Sequence, residues 1–227
     1  MSAFTCDYSG ATAAPSPNYG ERAGGRSPDI ILLHYTGMAT ADGALKWLRA
    51  PESQVSCHYF VHEDGRVEQL VREKDRAWHA GKSSWQGEVD INSASIGIEI
   101  ANPGNRPFAA AQMDTLELLL ARIMARWSIG PEAVIGHSDM APGRKIDPGP
   151  RFDWARLARH GLAIQPETLG ADLPLAESLT AIGYPEADPE TRLQAFRLRF
   201  RQGTTGPEDA VDRRLASAAA TAFGAFY

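Results

Sequence analysis

The apolar positions of this chain change rhythm along its length, and the changes mark out its elements. DIILLHY (residues 29–35) is a compact run of β-formers after a loop rich in Gly, Ser and Pro. It predicts a buried strand ending at His34. TADGALKWLRA (40–50) predicts a short helix with Thr40 as its N-cap. CHYFVHEDGRVEQLV (57–71) reads as two strands joined at Asp64-Gly65, a dipeptide suited to a tight hairpin turn. SIGIEIA (95–101) is a further strand, stopped by Asn102-Pro103-Gly104. Alternation puts Ile96, Ile98 and Ile100 on one of its faces and Gly97, Glu99 and Ala101 on the other. From 109 to 127 the period lengthens to that of a helix, with Leu116, Leu120, Ile123 and Trp127 in a stripe that Leu119 and Met124 widen. AVIGH (133–137) is another short strand, and FDWARLARHG (152–161) a short helix ending at Gly161.

Strands alternating with helices predict an α/β fold, a central mixed β-sheet flanked by helices. AIQPETLGADLP (163–174), rich in Pro and Gly, then reads as a linker. Beyond it the pattern is all-helical: LPLAESLTAIGY, then DPETRLQAFRLRF with Asp188 as N-cap and Pro189 at the first helical position, then GPEDAVDRRLASAAATAF. The expected organisation is one domain over 1–165 and a small all-helical C-terminal domain over 172–227. The second is too short to bury much core alone and is expected to dock on the first.

Composition narrows the function classes. With 43% hydrophobic and 22% charged residues the chain can build a core, and its net charge of −5 lacks the basic footprint of a nucleic-acid binder. No run approaches the roughly 18 apolar residues of a membrane span. The first thirty residues contain neither a basic start nor an apolar stretch, and no apolar run precedes Cys6. The expectation is a cytoplasmic protein, with the periplasm as the alternative. A disulfide between Cys6 and Cys57 would tie a polar tail to the interior, so two free thiols are expected.

The chemistry concentrates where strands end. His34 and His137 each close a strand, the position where sites in α/β sheets gather. His58 and His62 share a strand face but stand apart along it, His79 lies in a WHAG loop, and His160 ends a helix, where a cation suits the dipole. VIGHSDMAPGRKIDPGP (134–150) packs His137, Asp139, Arg144, Lys145 and Asp147 among glycines and prolines that exclude regular structure. Two histidines and a carboxylate with one open position make a catalytic zinc arrangement, and this loop can fold Asp147 back toward His137. Spacing alone leaves open that each is only a hydrogen-bonded polar residue. Glu99, acidic within an apolar strand, is either a general base in a cleft or a strand-edge residue facing solvent. Lys145 is either an oxyanion stabiliser or a solvated loop charge.

Five ordered segments, ILLHYTG, VSCHYFVHEDGRVEQLV, RAWHAGKSSW, SIGIEIANPG and VIGHSDMAPGRKIDPGPRFDW, together resemble the zinc-dependent N-acetylmuramoyl-L-alanine amidases of type 2, the AmpD/AmiD-like enzymes related to peptidoglycan recognition proteins. The resemblance covers about residues 28–160. It implies one Zn2+ ion held by His34, His137 and Asp147, with Glu99 as general base and Lys145 stabilising the oxyanion. His79 and Tyr35 are the implied substrate contacts. The implied reaction cleaves the amide between N-acetylmuramic acid, in its 1,6-anhydro form, and L-alanine of muropeptides or peptidoglycan, in cell-wall recycling or turnover. A monomer acting without nucleic-acid or membrane partners is expected. RLQAFRLRFRQG and TTGPEDAVDRRLASA resemble a three-helix peptidoglycan-binding domain, which implies either glycan binding or packing against the catalytic domain. The rival reading is a non-catalytic peptidoglycan-binding or sensing protein.

Overall fold

The computed structural model describes residues 4–224, so the outermost ends of the two expected domains lie outside the described residues. Two short strands come first, β1 (Ala11–Ala13) and β2 (Tyr19–Gly20), followed by β3 (Ile30–Tyr35) and α1 (Ala41–Leu48). The hairpin strands β4 (Tyr59–Val61) and β5 (Val67–Gln69) lead to β6 (Arg76–Ala77), the one-turn α2 (Ile91–Ala94), and β7 (Ser95–Ile100). The long α3 (Ala110–Trp127), β8 (Val134–Gly136), α4 (His137–Met140) and α5 (Trp154–Arg159) complete the α/β part. Three helices close the chain: α6 (Leu175–Ile182), α7 (Pro189–Phe200) and α8 (Ala210–Ala222).

Six strands form one sheet in the order β1-β5-β4-β7-β3-β8. All pairings are parallel except the β4–β5 hairpin, so the sheet is mixed as expected. Thr40 caps α1 through Gly43 N, and Asp188 caps α7 through Thr191 N, both as their side-chain chemistry predicts.

Three features differ from the expectations. β1 extends the sheet edge and β2 pairs with β6, although no strand is legible in the first twenty residues. Unlike the equally short β4, β5 and β8, which lie in apolar runs or beside a turn dipeptide, these segments are mostly small or polar residues, and only a partner strand makes them strands. β8 ends at Gly136, so His137 opens a helical turn rather than ending a strand. The Pro/Gly-rich segment therefore contains one turn of helix; Asp139 Oδ2 accepts from Gly136 N at 2.8 Å and secures its start.

The two faces of the sheet differ. On one, Ile31, Leu33, Ile96, Ile98 and Ile100 pack against Leu116, Leu120 and Ile123 of α3 in a continuous core. Burying such a side chain contributes roughly 1.5–3 kcal/mol. On the other face, Leu32 and Ile135 meet α6, α7 and α8 in a second core, while Phe60 and Ala101 meet Ala44 and Leu48 of α1 in a third. Between these two apolar patches the face is polar, and the cleft opens there.

Candidate active site

His34 and His137 sit at the same end of neighbouring strands. Their Nδ1 atoms lie 2.9 Å apart, and Asp147 Oδ2 lies 2.9 Å from the first and 3.0 Å from the second. All three residues are buried. Asp147 returns because Ser138 N donates to Asp147 O at 2.9 Å, closing the loop on itself. Gly136 makes room for that return, since a Cβ there would stand 2.8 Å from Pro148 Cδ.

This donor set fits a small, borderline-soft cation. His137 Nε2 lies 2.9 Å from Ala80 O, an acceptor only, so it carries the proton and leaves Nδ1 as a bare lone pair. His34 Nε2 lies 3.0 Å from His79 Nδ1; donating there, it bares its own Nδ1 in the same way. Three electron pairs then converge on one point, which costs repulsion without a cation. Tetrahedral zinc with bonds of 2.0–2.1 Å sets its ligand atoms about 3.3 Å apart, close to the spacing here. Burial, then the neighbouring His137, pushes His34 down to about 4, so it is neutral near pH 7. Burial works to raise the Asp147 carboxyl, yet its contacts with His137 and His34 hold it well below the usual carboxylate range. His34 and Asp147 are thus in the protonation states that metal binding requires.

Glu99 stands directly opposite His34 in the β3–β7 register, on the same face of the sheet. Its side chain is partly open to the cleft, while its Oε2 is sealed from solvent and has no hydrogen-bond partner among the described residues. Burial, reinforced by the charge of Asp147, pushes its pKa well up, and Lys145 opposes the shift. Lys145 forms no salt bridge among the described residues and lines the same cleft, of about 250 Å³, with Tyr35, Glu99 and the three metal-binding candidates. The Lys145 amine and the Glu99 carboxyl both border the cleft without an ionic partner among the described residues.

His79 packs over Gly97, where a Cβ would stand 2.4 Å from its ring. It borders the cleft, but its Nδ1 is taken by His34. Tyr35 also borders the cleft, its ring close against Gly104 and Gly149, both at positive φ. The remaining histidines stay out of the site. His58 Nδ1 accepts from Gly97 N at 2.9 Å, and burial, then Arg22, pushes it down to about 3. His62 pairs with Glu68 at 3.0 Å, and His160 sits exposed at the end of α5. Cys6 and Cys57 are both free.

Sequence reasoning singled out Asp139 and Arg144 in this segment but missed the partners through which they hold the His137 turn from behind. Asp139 is fully buried and bonded to Tyr184 and Arg199, and Arg144 Nη2 donates to Ala80 O at 2.7 Å. An arginine on a helix surface and one buried in an ion pair look the same in a sequence, so no local signal marks them.

Residues 24–150, which carry every group of this cleft, match the family described as N-acetylmuramoyl-L-alanine amidase. The chain belongs to this family. The amidase is 34% identical to N-acetylmuramoyl-L-alanine amidase AmiD of Escherichia coli strain K12, over 86% of this chain and 83% of that protein. It is 32% identical to 1,6-anhydro-N-acetylmuramyl-L-alanine amidase AmpD of Citrobacter freundii, over 65% of this chain and 88% of AmpD. The solved E. coli AmiD complex with anhydro-N-acetylmuramic acid-L-Ala-D-γ-Glu-L-Lys superposes with a TM-score of 0.79 at 32% identity. That match covers 91% of this chain and 98% of AmiD, so it reaches into the C-terminal helices. No helix among the described residues is long and apolar enough to cross a membrane.

Proposed function

We propose that this amidase hydrolyses the amide joining the lactyl group of 1,6-anhydro-N-acetylmuramic acid to L-alanine. In this reading His34, His137 and Asp147 hold one zinc ion, Glu99 is the general base and Lys145 stabilises the oxyanion. The observation that carries it is the convergence of three donor atoms within 3.0 Å beside a half-buried carboxylate whose sealed oxygen has no partner among the described residues. The names of AmpD and of the AmiD complex support the anhydromuramyl substrate.

Zinc bound there would act as a Lewis acid toward the scissile carbonyl and lower the pKa of water to about 7. Glu99 takes the proton of the attacking water; its poor solvation makes it a stronger base than an exposed carboxylate. Lys145 offers N–H to the oxygen that gains charge at the tetrahedral stage. Glu99 then returns the proton to the departing amine of L-alanine, leaving a lactyl carboxylate and a free peptide. His79 orients His34 through its Nδ1 and borders the substrate cleft, and Tyr35 contacts substrate from the cleft wall.

Mass spectrometry on 1,6-anhydro-N-acetylmuramyl-L-Ala-D-γ-Glu-L-Lys tests the reading. The expected product is free peptide with L-alanine at its N-terminus, formed faster than from intact sacculi. An intact sugar–peptide bond in a zinc-loaded sample would instead mean a non-catalytic binding protein.

A further inference from the structure

The turn that carries His137 is held from outside the sheet that builds the cleft. Asp139, two residues after His137, has both carboxylate oxygens occupied. Oδ2 accepts from Gly136 N at 2.8 Å and from Arg199 Nη1 at 3.0 Å, and Oδ1 accepts from Tyr184 OH at 2.6 Å. Gly136 N belongs to the residue immediately before His137, so the same carboxylate fixes the corner between β8 and α4. Arg199 comes from α7 and Tyr184 from the connection before it, both in the C-terminal helical segment.

Arg199 is itself locked. Its guanidinium lies 4.2 Å from the Trp154 ring, and Nη2 donates to Ile164 O at 3.1 Å. Met140, the last residue of α4, is buried in the core formed with the same helices. Ser138, between His137 and Asp139, holds the backbone of Asp147. Every residue of the turn is therefore committed, two of them to metal-site geometry and two to the C-terminal helices.

We infer that the C-terminal helices are a working part of the metal site: Arg199 and Tyr184, acting through Asp139, are positioning residues that aim His137 Nδ1 at His34 and Asp147. A buried ion pair contributes little net stability compared with an apolar replacement, but it permits few geometries. A metal site needs that restriction, because its ligands must hold to within about 0.5 Å. The inference rests on the reading of His34, His137 and Asp147 as metal ligands.

The test compares the full-length wild type with Tyr184→Phe and Arg199→Met. Zinc release to a chromophoric chelator, the visible spectrum after cobalt substitution, kcat, KM and the melting temperature are measured on each. Arg199→Met is expected to release zinc ~10- to 100-fold faster, with shifted cobalt bands and a lower kcat at nearly constant KM. Tyr184→Phe, which removes one hydroxyl and leaves no charge unpaired, is expected to move the same readouts less far. It decides the matter if Arg199→Met does not fold. A lowered melting temperature with wild-type zinc release and cobalt spectrum in both variants would overturn the inference and leave the network as packing alone. A wild type that binds no zinc would defeat the metal-ligand reading instead.

Discussion

In the proposed mechanism Glu99 concentrates the chemistry in one side chain. It is legible in the sequence because a carboxylate among Ile96, Ile98 and Ile100 must have a reason to be there. The structure supplies that reason by sealing Oε2 without a partner beside the donor atoms of His34, His137 and Asp147. Glu99→Gln keeps the shape and removes the base. It is expected to retain one zinc per chain by atomic emission while kcat falls ~10²- to 10⁴-fold. Asp147→Ala removes a ligand rather than a base, so it is expected to lose the zinc itself in the same measurement. His137 and Asp147 were candidates by residue type, since few residue types ligate metals, and the family resemblance made them the implied ligands. The role of Asp139 was not legible, because its partners Tyr184 and Arg199 lie 45 and 60 residues further on.

Strand β7 shows how an element divides its labour. Its isoleucines face α3, and its other face carries Gly97 under His79 and Glu99 beside His34. Gly97→Ala places a methyl where the His79 ring lies, 2.4 Å from its Nδ1, and the ring must leave His34. Zinc affinity is expected to weaken ~10- to 100-fold by competition titration. Helix α3 has the opposite character. Leu120→Ala is expected to cost about 2–5 kcal/mol in urea unfolding, with zinc affinity unchanged, because α3 lies across the sheet from the cleft. The long elements were legible because eighteen residues of α3 give several turns of period. β1, β2 and β6 have two or three residues each and become strands only by pairing.

The molecule as a whole is tied together by two cores on the cleft side of the sheet, one of which joins the sheet to α6, α7 and α8. Buried neutral histidines give it a pH dependence. His34 and His58 are pushed down to about 4 and 3 in the fold, against about 6.5 in an unfolded chain. The unfolded chain therefore binds more protons below pH 6.5, and the stability present above that pH is lost as the pH falls toward 4 and then 3. Melting temperatures of metal-free protein are expected to be level above pH 7 and to drop steadily from pH 6.5 to 4. Zinc at 1,000 times its Kd is expected to stabilise the fold at neutral pH by about 4 kcal/mol, and a chelator should reverse that gain.

The local order of residues was enough to show that candidate chemistry gathers at the strand ends and in residues 134–150, which face of β7 is apolar, where α3 runs, and where the chain turns helical after residue 174. Each follows from period, capping or residue type within a short window. Other matters rest on contacts between distant residues. The register that sets Glu99 opposite His34, the return of Asp147 onto His137, and the grip of Arg199 on Asp139 leave no trace in local pattern. They exist only once burial has brought separate parts of the chain to one place, where each polar group must find a partner or remain open for a substrate.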